Sequence, residues 1–550
     1  MGGKMARLAS SARAVRPRIP MWWCAFFVFA AIGIAWSWTT PPFTQQDEAS
    51  QINYATAVGG GHFIAKEELE VPTGPPTYPT RQRIAVMEVP VTFDSDWTCF
   101  ISDPTRSADC AGPLTARSSE HEQPSYHSRY PPLYYALVGW PASVISGPRS
   151  YDAMRLVSAL IVAAFLASAL RSAIEGRRSR VMALGVLVAA TPGVFFVAGG
   201  IQSSGFEIAA AVCLWTTLLV LAAERDAAAD VDRRKRLITR ASVAAVALML
   251  ARPFSPMWVL LIVGVVAVLA RRDLLVELAR IRRARVALGV VLVAGAVAAT
   301  WFFVRDPGRN FVRYAEDVPR SGRVAAARLV FGQFGDRLVD MIGHFGWPDD
   351  LAASTLTIAC WILALGVLAG CALMVAPWRS RLVLATLVGL VVLIPPIVVA
   401  SGANTFVPTG WVGRYDLPLA VGVPLVGAFL LDRHRGEIGS FAARGATLVA
   451  IAVGVGQIAA YVTVAHRFVV GTAGPILYFL HVRWSPKLSA GVLLLVIVVS
   501  CTLLAWWTRR AVDDTGPFVH GIELSRRGFV AALTGRTAGD ADETVTRASS

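Results

Sequence analysis

Charge is scarce in this chain. Asp, Glu, Lys and Arg make up 16% of its 550 residues and hydrophobic residues 55%, whereas an ordinary soluble domain is roughly 25% charged. With a mean hydropathy of +0.54, this excludes a disordered chain, which needs high charge and little apolar surface. Acidic residues are missing from the middle of the apolar runs, where an ion-coupled transporter would place them. No internal repeat is visible, although many transporters are built from repeats. After the first apolar run, Trp36-Ser-Trp-Thr-Thr-Pro-Pro42 lacks the small residues of a cleavage site. The basic N-terminus (Lys4, Arg7, Arg13, Arg16, Arg18) is therefore expected to lead into an uncleaved first span. Of seven cysteines, Cys24, Cys213, Cys360, Cys371 and Cys501 fall within apolar runs. Cys99 and Cys110 share a long polar stretch with no histidine or further cysteine at ligand spacing, which predicts a disulfide and not a metal pair.

What is abundant is apolar runs near 20 residues long, the signature of spanning helices. They predict an all-α polytopic membrane protein with about 12 transmembrane helices, at 21–39, 153–171, 181–199, 206–223, 238–251, 253–270, 286–304, 352–376, 381–400, 416–431, 444–465 and 487–508. The chain divides into a basic cytoplasmic tail (1–20), a first transmembrane helix (21–39), a large extracytoplasmic loop with an interfacial helix (40–150), a polytopic membrane domain (151–508) and a cytoplasmic tail (509–550). The net charge of +15 sits in short loops between spans, so it reads as topology and attraction to membrane lipids, with no nucleic-acid partner. Arg233-Arg-Lys-Arg236, Arg271-Arg272, Arg282-Arg283 and Arg509-Arg510 all fall inside if the N-terminus is cytoplasmic. That agreement requires Pro131–Gly147 to lie at the outer interface without crossing, where its Tyr and Trp residues are at home. Three long segments then face outward, 40–130, 305–350 and 401–415, the first with a strand-like Ile84–Phe93.

The stretch Pro41-Pro-Phe-Thr-Gln-Gln-Asp-Glu48 holds two adjacent carboxylates at the mouth of the first span. Thr44 can cap a helix from Gln45 to about Val58, with Asp47 in its first turn, and Gly59-Gly60-Gly61 would stop it. In one reading Asp47 and Glu48 merely complement the helix N-terminus. Other ionisable residues cluster at the same level: Arg155 opening the second span, Glu207 after Gln202-Ser-Ser-Gly205, Arg252 before Pro253, and Arg414. Singly, such arginines snorkel. Together they suit an anionic lipid-linked substrate, with guanidinium groups for a phosphate and a carboxylate to take a proton.

Five motifs recur in order: Gln46-Asp-Glu-Ala-Ser-Gln51, Tyr130-Pro-Pro-Leu-Tyr-Tyr135, Ser203-Ser-Gly-Phe-Glu207, Phe345-Gly-Trp-Pro-Asp-Asp350 and Gly413-Arg-Tyr-Asp-Leu-Pro418. With them the chain resembles, over roughly residues 20–440, a family of bacterial polytopic membrane proteins of unknown function, numbered two-one-four-two. That family in turn resembles the GT-C glycosyltransferases, which use polyprenyl-phosphate sugars at the outer membrane face. The resemblance implies a GT-C-like fold in the bacterial plasma membrane, with both termini cytoplasmic. It also implies a hexosyl- or pentosyltransferase moving sugar from a polyprenyl-phosphate donor to a cell-envelope glycan or lipid acceptor. Asp47, with Glu48, takes the catalytic place. Arg129, Tyr130, Tyr134, Arg155, Glu207, Arg252, Trp347, Asp349, Arg414 and Tyr415 are the substrate-binding candidates. The family usually has Pro where Gln46 stands, a histidine where Gln51 stands and an aspartate where Glu207 stands. Without that histidine no metal and no cofactor is expected, although two adjacent carboxylates could hold a divalent ion through waters. A transporter or lipid flippase for envelope precursors, or a non-catalytic assembly factor, are the competing readings.

The topology is directly testable. Single cysteines introduced beside Arg177 or Arg234 should stay unlabelled by a membrane-impermeant thiol reagent in intact cells; labelling from outside would overturn the orientation.

Overall fold

The structure is a computed structural model. It describes residues 20–513 apart from 73–80, 102, 119–121, 176–180, 224–230, 306–312, 315–321, 347–350, 402–410 and 435–440. Among the described residues, eight helices are long and apolar enough to cross a membrane. They are Met21–Thr39, Arg149–Ile174, Ser203–Ala223, Arg282–Arg305, Thr355–Val375, Trp378–Ser401, Ala443–Val469 and Ala490–Val512. A ninth passage pairs Val181–Ala189 with Pro192–Ala198, bent by 58° where Pro192 cannot continue the hydrogen-bond ladder. The protein is a multi-pass helical membrane protein.

The expected twelve spans are not reached by length and composition. Val231–Met249 carries Asp232, Arg233, Arg234, Lys235 and Arg236 in its first turns. Ser255–Leu269 has 15 residues, which make about 22 Å of helix against a hydrocarbon core of about 30 Å. The candidate at 416–431 is split into Leu417–Ala420 and Gly422–Arg433. Pro131–Gly147 forms only Leu133–Gly139 and Pro141–Val144, neither long enough to cross. It packs on the helix Glu48–Gly59 so closely that a Cβ on Gly139 would stand 1.9 Å from the Ala55 carbonyl oxygen, so only glycine fits there.

Ser203–Ala223 is the central helix, with 89% of its apolar window buried among Arg149–Ile174, Val231–Met249 and Ser255–Leu269. Arg282–Arg305 is the opposite case, 11% buried and turning Leu288, Leu292, Val293 and Phe303 outward, as a lipid-facing helix does. Helix ends collect at two levels. At one, the backbone N–H groups of Val181 and Met182 donate to the Asp432 carboxylate at 3.0 and 3.1 Å, and Arg240 pairs with Glu175 at 2.7 Å. At the other lie the end of the first helix and the long loop that follows it.

That loop is partly β. Glu67–Pro72, Arg81–Glu88 and Glu122–Pro124 form an antiparallel sheet, which Arg313–Tyr314 joins on Arg81–Glu88. Val91–Asp94 pairs with Thr115–Ser118. The strand expected at Ile84–Phe93 is thus two strands broken at Val89-Pro90, because Pro90 cannot donate to a ladder. Cys99 and Cys110 are disulfide-bonded, with Cα atoms 6.1 Å apart. Their ring docks on the bundle through the buried Arg467, which donates to the carbonyls of Arg106 (2.7 Å) and Phe100 (2.8 Å).

Closing so short a ring contributes up to about 3 kcal/mol in the chain-entropy account. In membranes isolated without reductant, Cys99 and Cys110 should therefore resist alkylation in SDS until a reducing agent is added. Two alkylatable thiols at those positions beforehand would contradict the pairing.

Candidate active site

The two adjacent carboxylates have opposite fates. Glu48 opens the helix Glu48–Gly59 and is fully buried. It accepts Arg155 Nε at 2.9 Å on Oε1 and Arg155 Nη2 at 3.2 Å on Oε2, and Oε1 also takes the Ile201 backbone N–H at 3.2 Å. Arg155 spends its other donors on the carbonyls of Ser37 (3.1 Å), Thr40 (2.8 Å) and Pro41 (3.4 Å). Arg155, expected to bind substrate, is therefore committed to the protein. Glu48 supports the site from beneath and does not reach the cleft.

Asp47 is pushed out by the same contact. It is the residue before the helix, in the left-handed region at φ 64°, a conformation uncommon outside glycine. Thr44 does not cap this helix, because its hydroxyl turns back to the Pro41 carbonyl at 2.8 Å. The expected start at Gln45 is thereby corrected to Glu48. Asp47 is 37% exposed and its Oδ2 accepts Arg414 Nη2 at 3.0 Å. Gln51, standing in the family's histidine position, is buried and saturated: Oε1 accepts from Ser203 N–H (2.8 Å) and Tyr135 OH (3.1 Å), and Nε2 donates to Gln202 (2.7 Å).

Around this pair stand two further ion pairs. Glu207 is buried, accepting Arg252 Nη1 at 3.1 Å and the Ser255 hydroxyl at 2.6 Å. The Arg252 guanidinium also lies 4.4 Å from the Tyr415 ring centre and 5.8 Å from that of Tyr130, within cation–π range. Burial pushes the Tyr130 hydroxyl up to about 12, against the opposing pull of Arg252, so it stays neutral at pH 7. On the other side Arg337 donates to Asp416 Oδ2 at 3.0 Å, and the Trp411 indole to Oδ1 at 2.8 Å. This buried pair fixes the turn Gly413–Tyr415 that carries Arg414 and Tyr415. A Cβ on Gly413 would stand 2.2 Å from the Arg337 carbonyl, which is why glycine opens the turn.

Below Arg414 runs a narrow cleft lined by Gln45, Gln46, Gln202, Asp340 and His344, with Phe196 and Leu417 as its apolar wall. Asp340 and His344 pair at 3.2 Å. His127 completes the polar surface. It is buried, its Nδ1 is 2.9 Å from the Ser50 hydroxyl, and its ring meets Tyr130 edge-on at 4.8 Å. Burial, helped by the charges of Arg252 and Arg414 and opposed by Asp47, pushes it down to about 4, so it is neutral at pH 7.

The structure thus brings Asp47, Tyr130, Arg252, Arg414 and Tyr415 together, with Glu48, Arg155 and Glu207 behind them. Other candidates fall elsewhere. Arg129 donates to the Arg305 carbonyl at 2.7 Å, while Tyr134 is buried against the Ser158 hydroxyl at 3.0 Å. Trp347 and Asp349 lie outside the described residues. Among the described residues no three His, Cys, Asp or Glu side chains gather as metal ligands. Sequence reasoning missed His127, Asp340, His344, Arg337 and Asp416. His127 had a signal, a rare histidine just ahead of Tyr130-Pro-Pro, and Asp416 lies inside a quoted motif. Arg337 had none.

A polytopic helical bundle with a ring of ion pairs at one end defines the class of protein. Residues 29–423 match the family described as Predicted membrane protein (DUF2142), and the chain belongs to that family. No curated protein matches the sequence. Among solved structures, ArnT from Cupriavidus metallidurans bound to undecaprenyl phosphate is similar at 13% identity and a TM-score of 0.41, over 89% of this chain and 76% of its own. The apo form of ArnT is similar at 12% and 0.38, over 88% and 77%. Similarity at that level leaves the chemistry to be argued from this chain's own residues.

Removing one partner of a buried ion pair strands the other charge, at a cost of about 3–5 kcal/mol. Arg155→Ala and Glu48→Gln should accordingly lower the thermal midpoint and the yield of folded protein. An unchanged midpoint in either would show that the pair does not hold the loop.

Proposed function

We propose that this protein is a glycosyltransferase of the bacterial plasma membrane. It moves a sugar from a polyprenyl-phosphate donor to a cell-envelope acceptor at the extracytoplasmic face, with both termini in the cytoplasm. The observation that carries this reading is the Asp47–Arg414 pair, 3.0 Å apart and solvent-accessible, while the neighbouring pairs are buried. A donor phosphate competes with Asp47 for Arg414. Once displaced, Asp47 is free to accept a proton, and Arg414 holds the phosphate by charge-assisted hydrogen bonds. Arg252, with Tyr130 and Tyr415 about it, lies on the same side.

Charge balance fits that sequence of events. Arg155, Arg252 and Arg414 face Glu48, Glu207 and Asp47, so that set is neutral before reaction. The acceptor oxygen bonds to the anomeric carbon as the bond from that carbon to the phosphate oxygen breaks, inverting the configuration. The acceptor's proton passes to Asp47, which removes one negative charge from the set while the leaving polyprenyl phosphate gains one. The arginines are then in excess by one when the phosphate needs them most. A transporter or flippase is the second reading, favoured by the bent passage at Pro192, since broken helices mark many transport sites. Against it stands the lack of acidic residues at mid-depth in the described spans.

The test is purified protein with a panel of polyprenyl-phosphate sugars, following released polyprenyl phosphate. Asp47→Asn keeps size and removes the proton acceptor, so turnover should fall about 10²–10⁴-fold with donor binding kept. Arg414→Ala should instead weaken donor binding by about tenfold. Near-normal turnover in Asp47→Asn would exclude Asp47 as the base. Lipid movement across a vesicle without any sugar transfer would support the transporter.

A further inference from the structure

At the end of the bundle opposite the Asp47 cleft lies a cavity of about 330 Å³, within the roughly 300–1,000 Å³ range of ligand sites. Its main wall is one face of the helix Val231–Met249, where Arg236, Thr239, Arg240 and Val243 follow the i, i+3, i+4, i+7 spacing of a single helical stripe. Arg283 closes the mouth from the neighbouring helix, and Phe165, Ser168 and Cys213 form the back.

The charges of this cavity are unevenly spoken for. Glu175 is shared by Arg171 and Arg240, each at 2.7 Å, and Asp232 pairs with Lys235 at 3.0 Å. Arg283 donates to the Thr239 hydroxyl at 3.0 Å. Among the described residues no carboxylate lies within ion-pair distance of Arg236 or Arg283. Two guanidinium groups therefore stand at one end of the cavity, that of Arg283 held by the Thr239 hydroxyl, which itself donates to the Lys235 carbonyl at 3.0 Å. Its other end is apolar, with Phe165 beside Val243, and Val243 is 56% exposed on the lipid-facing flank. From Arg236 to Val243 is seven residues, about 10 Å along the helix. A site charged at one end and greasy about 10 Å deeper has the profile of a phospholipid, whereas a soluble anion has no use for the apolar half.

We propose that this cavity binds an anionic phospholipid, its phosphate between Arg236 and Arg283 and an acyl chain along Val243 and Phe165. In the orientation proposed above the lipid comes from the cytoplasmic leaflet; that clause alone rests on the topology, and binding itself requires no glycosyl transfer. The site is separate from the donor cleft, although Val231–Met249 runs from one towards the other.

The experiment is native mass spectrometry of the full chain in detergent, titrated with phosphatidylglycerol, phosphatidylcholine or glycerol 3-phosphate. Phosphatidylglycerol should bind saturably and at least about tenfold more tightly than either of the others. The double variant Arg236→Gln, Arg283→Gln should lose that preference, while Arg271→Gln, Arg272→Gln, on exposed arginines of the same end, should keep it. Val243→Trp, which leaves charge unchanged and fills the cavity, should also weaken phosphatidylglycerol binding. Equal loss in the control pair would mean diffuse surface attraction and overturn the site. Equal binding of phosphatidylcholine, equal binding of glycerol 3-phosphate, or full binding by Val243→Trp would each overturn it as well.

Discussion

The buried pair between Glu48 and Arg155 is the constraint on which the rest of this structure depends. Two opposite charges taken out of water cost several kcal/mol each after relaxation, and the cost is offset only when every lone pair and proton is used. Here the carboxylate takes two guanidinium contacts and a backbone N–H, and the guanidinium takes three carbonyls besides. Those partners come from the end of the first helix, the start of the loop helix, the helix Arg149–Ile174 and the turn before Ser203. One ion pair thereby locks four segments at a single level.

The exposure of Asp47 follows from that lock. Glu48 must point inward to meet Arg155, and the chain reaches it through a left-handed turn that leaves Asp47 on the other side. Asp47 is thus strained and accessible because its neighbour is buried and satisfied. Strain of this kind, about 1–3 kcal/mol for a residue in a sparse region, persists only where the surroundings over-determine it, and the Glu48 contacts do so.

The same logic sorts the arginines. A cation near the membrane surface either snorkels to water or is paired, and Arg155, Arg252 and Arg337 are paired with Glu48, Glu207 and Asp416. Of the four pairs, the Arg414 contact is the one open to solvent on the carboxylate side. The polar end of the bundle is consequently three buried pairs beside one whose carboxylate is open to solvent. At the far end, among the described residues, no carboxylate lies within ion-pair distance of Arg236 or Arg283, which line a cavity.

Much was legible from the sequence by itself. The apolar runs announced a multi-pass helical membrane protein, and the five short motifs announced its family, because hydropathy and motif spacing are local quantities. The closeness of Asp47, Glu207, Arg252 and Arg414 was legible too, since each sits at a helix end of the same parity in the alternation of spans. Pairing was not. Glu48 finds Arg155 across 107 positions, Glu207 finds Arg252 across 45, Arg337 finds Asp416 across 79 and Asp47 finds Arg414 across 367. Which of two adjacent carboxylates is buried, and which arginine remains to meet a ligand, depends on such long-range contacts and on the desolvation they entail. So does His127, placed beside Asp47 by the packing of the loop on the helix Glu48–Gly59. Composition and periodicity specify where a chain meets the membrane; only the tertiary structure decides which charges neutralise one another there.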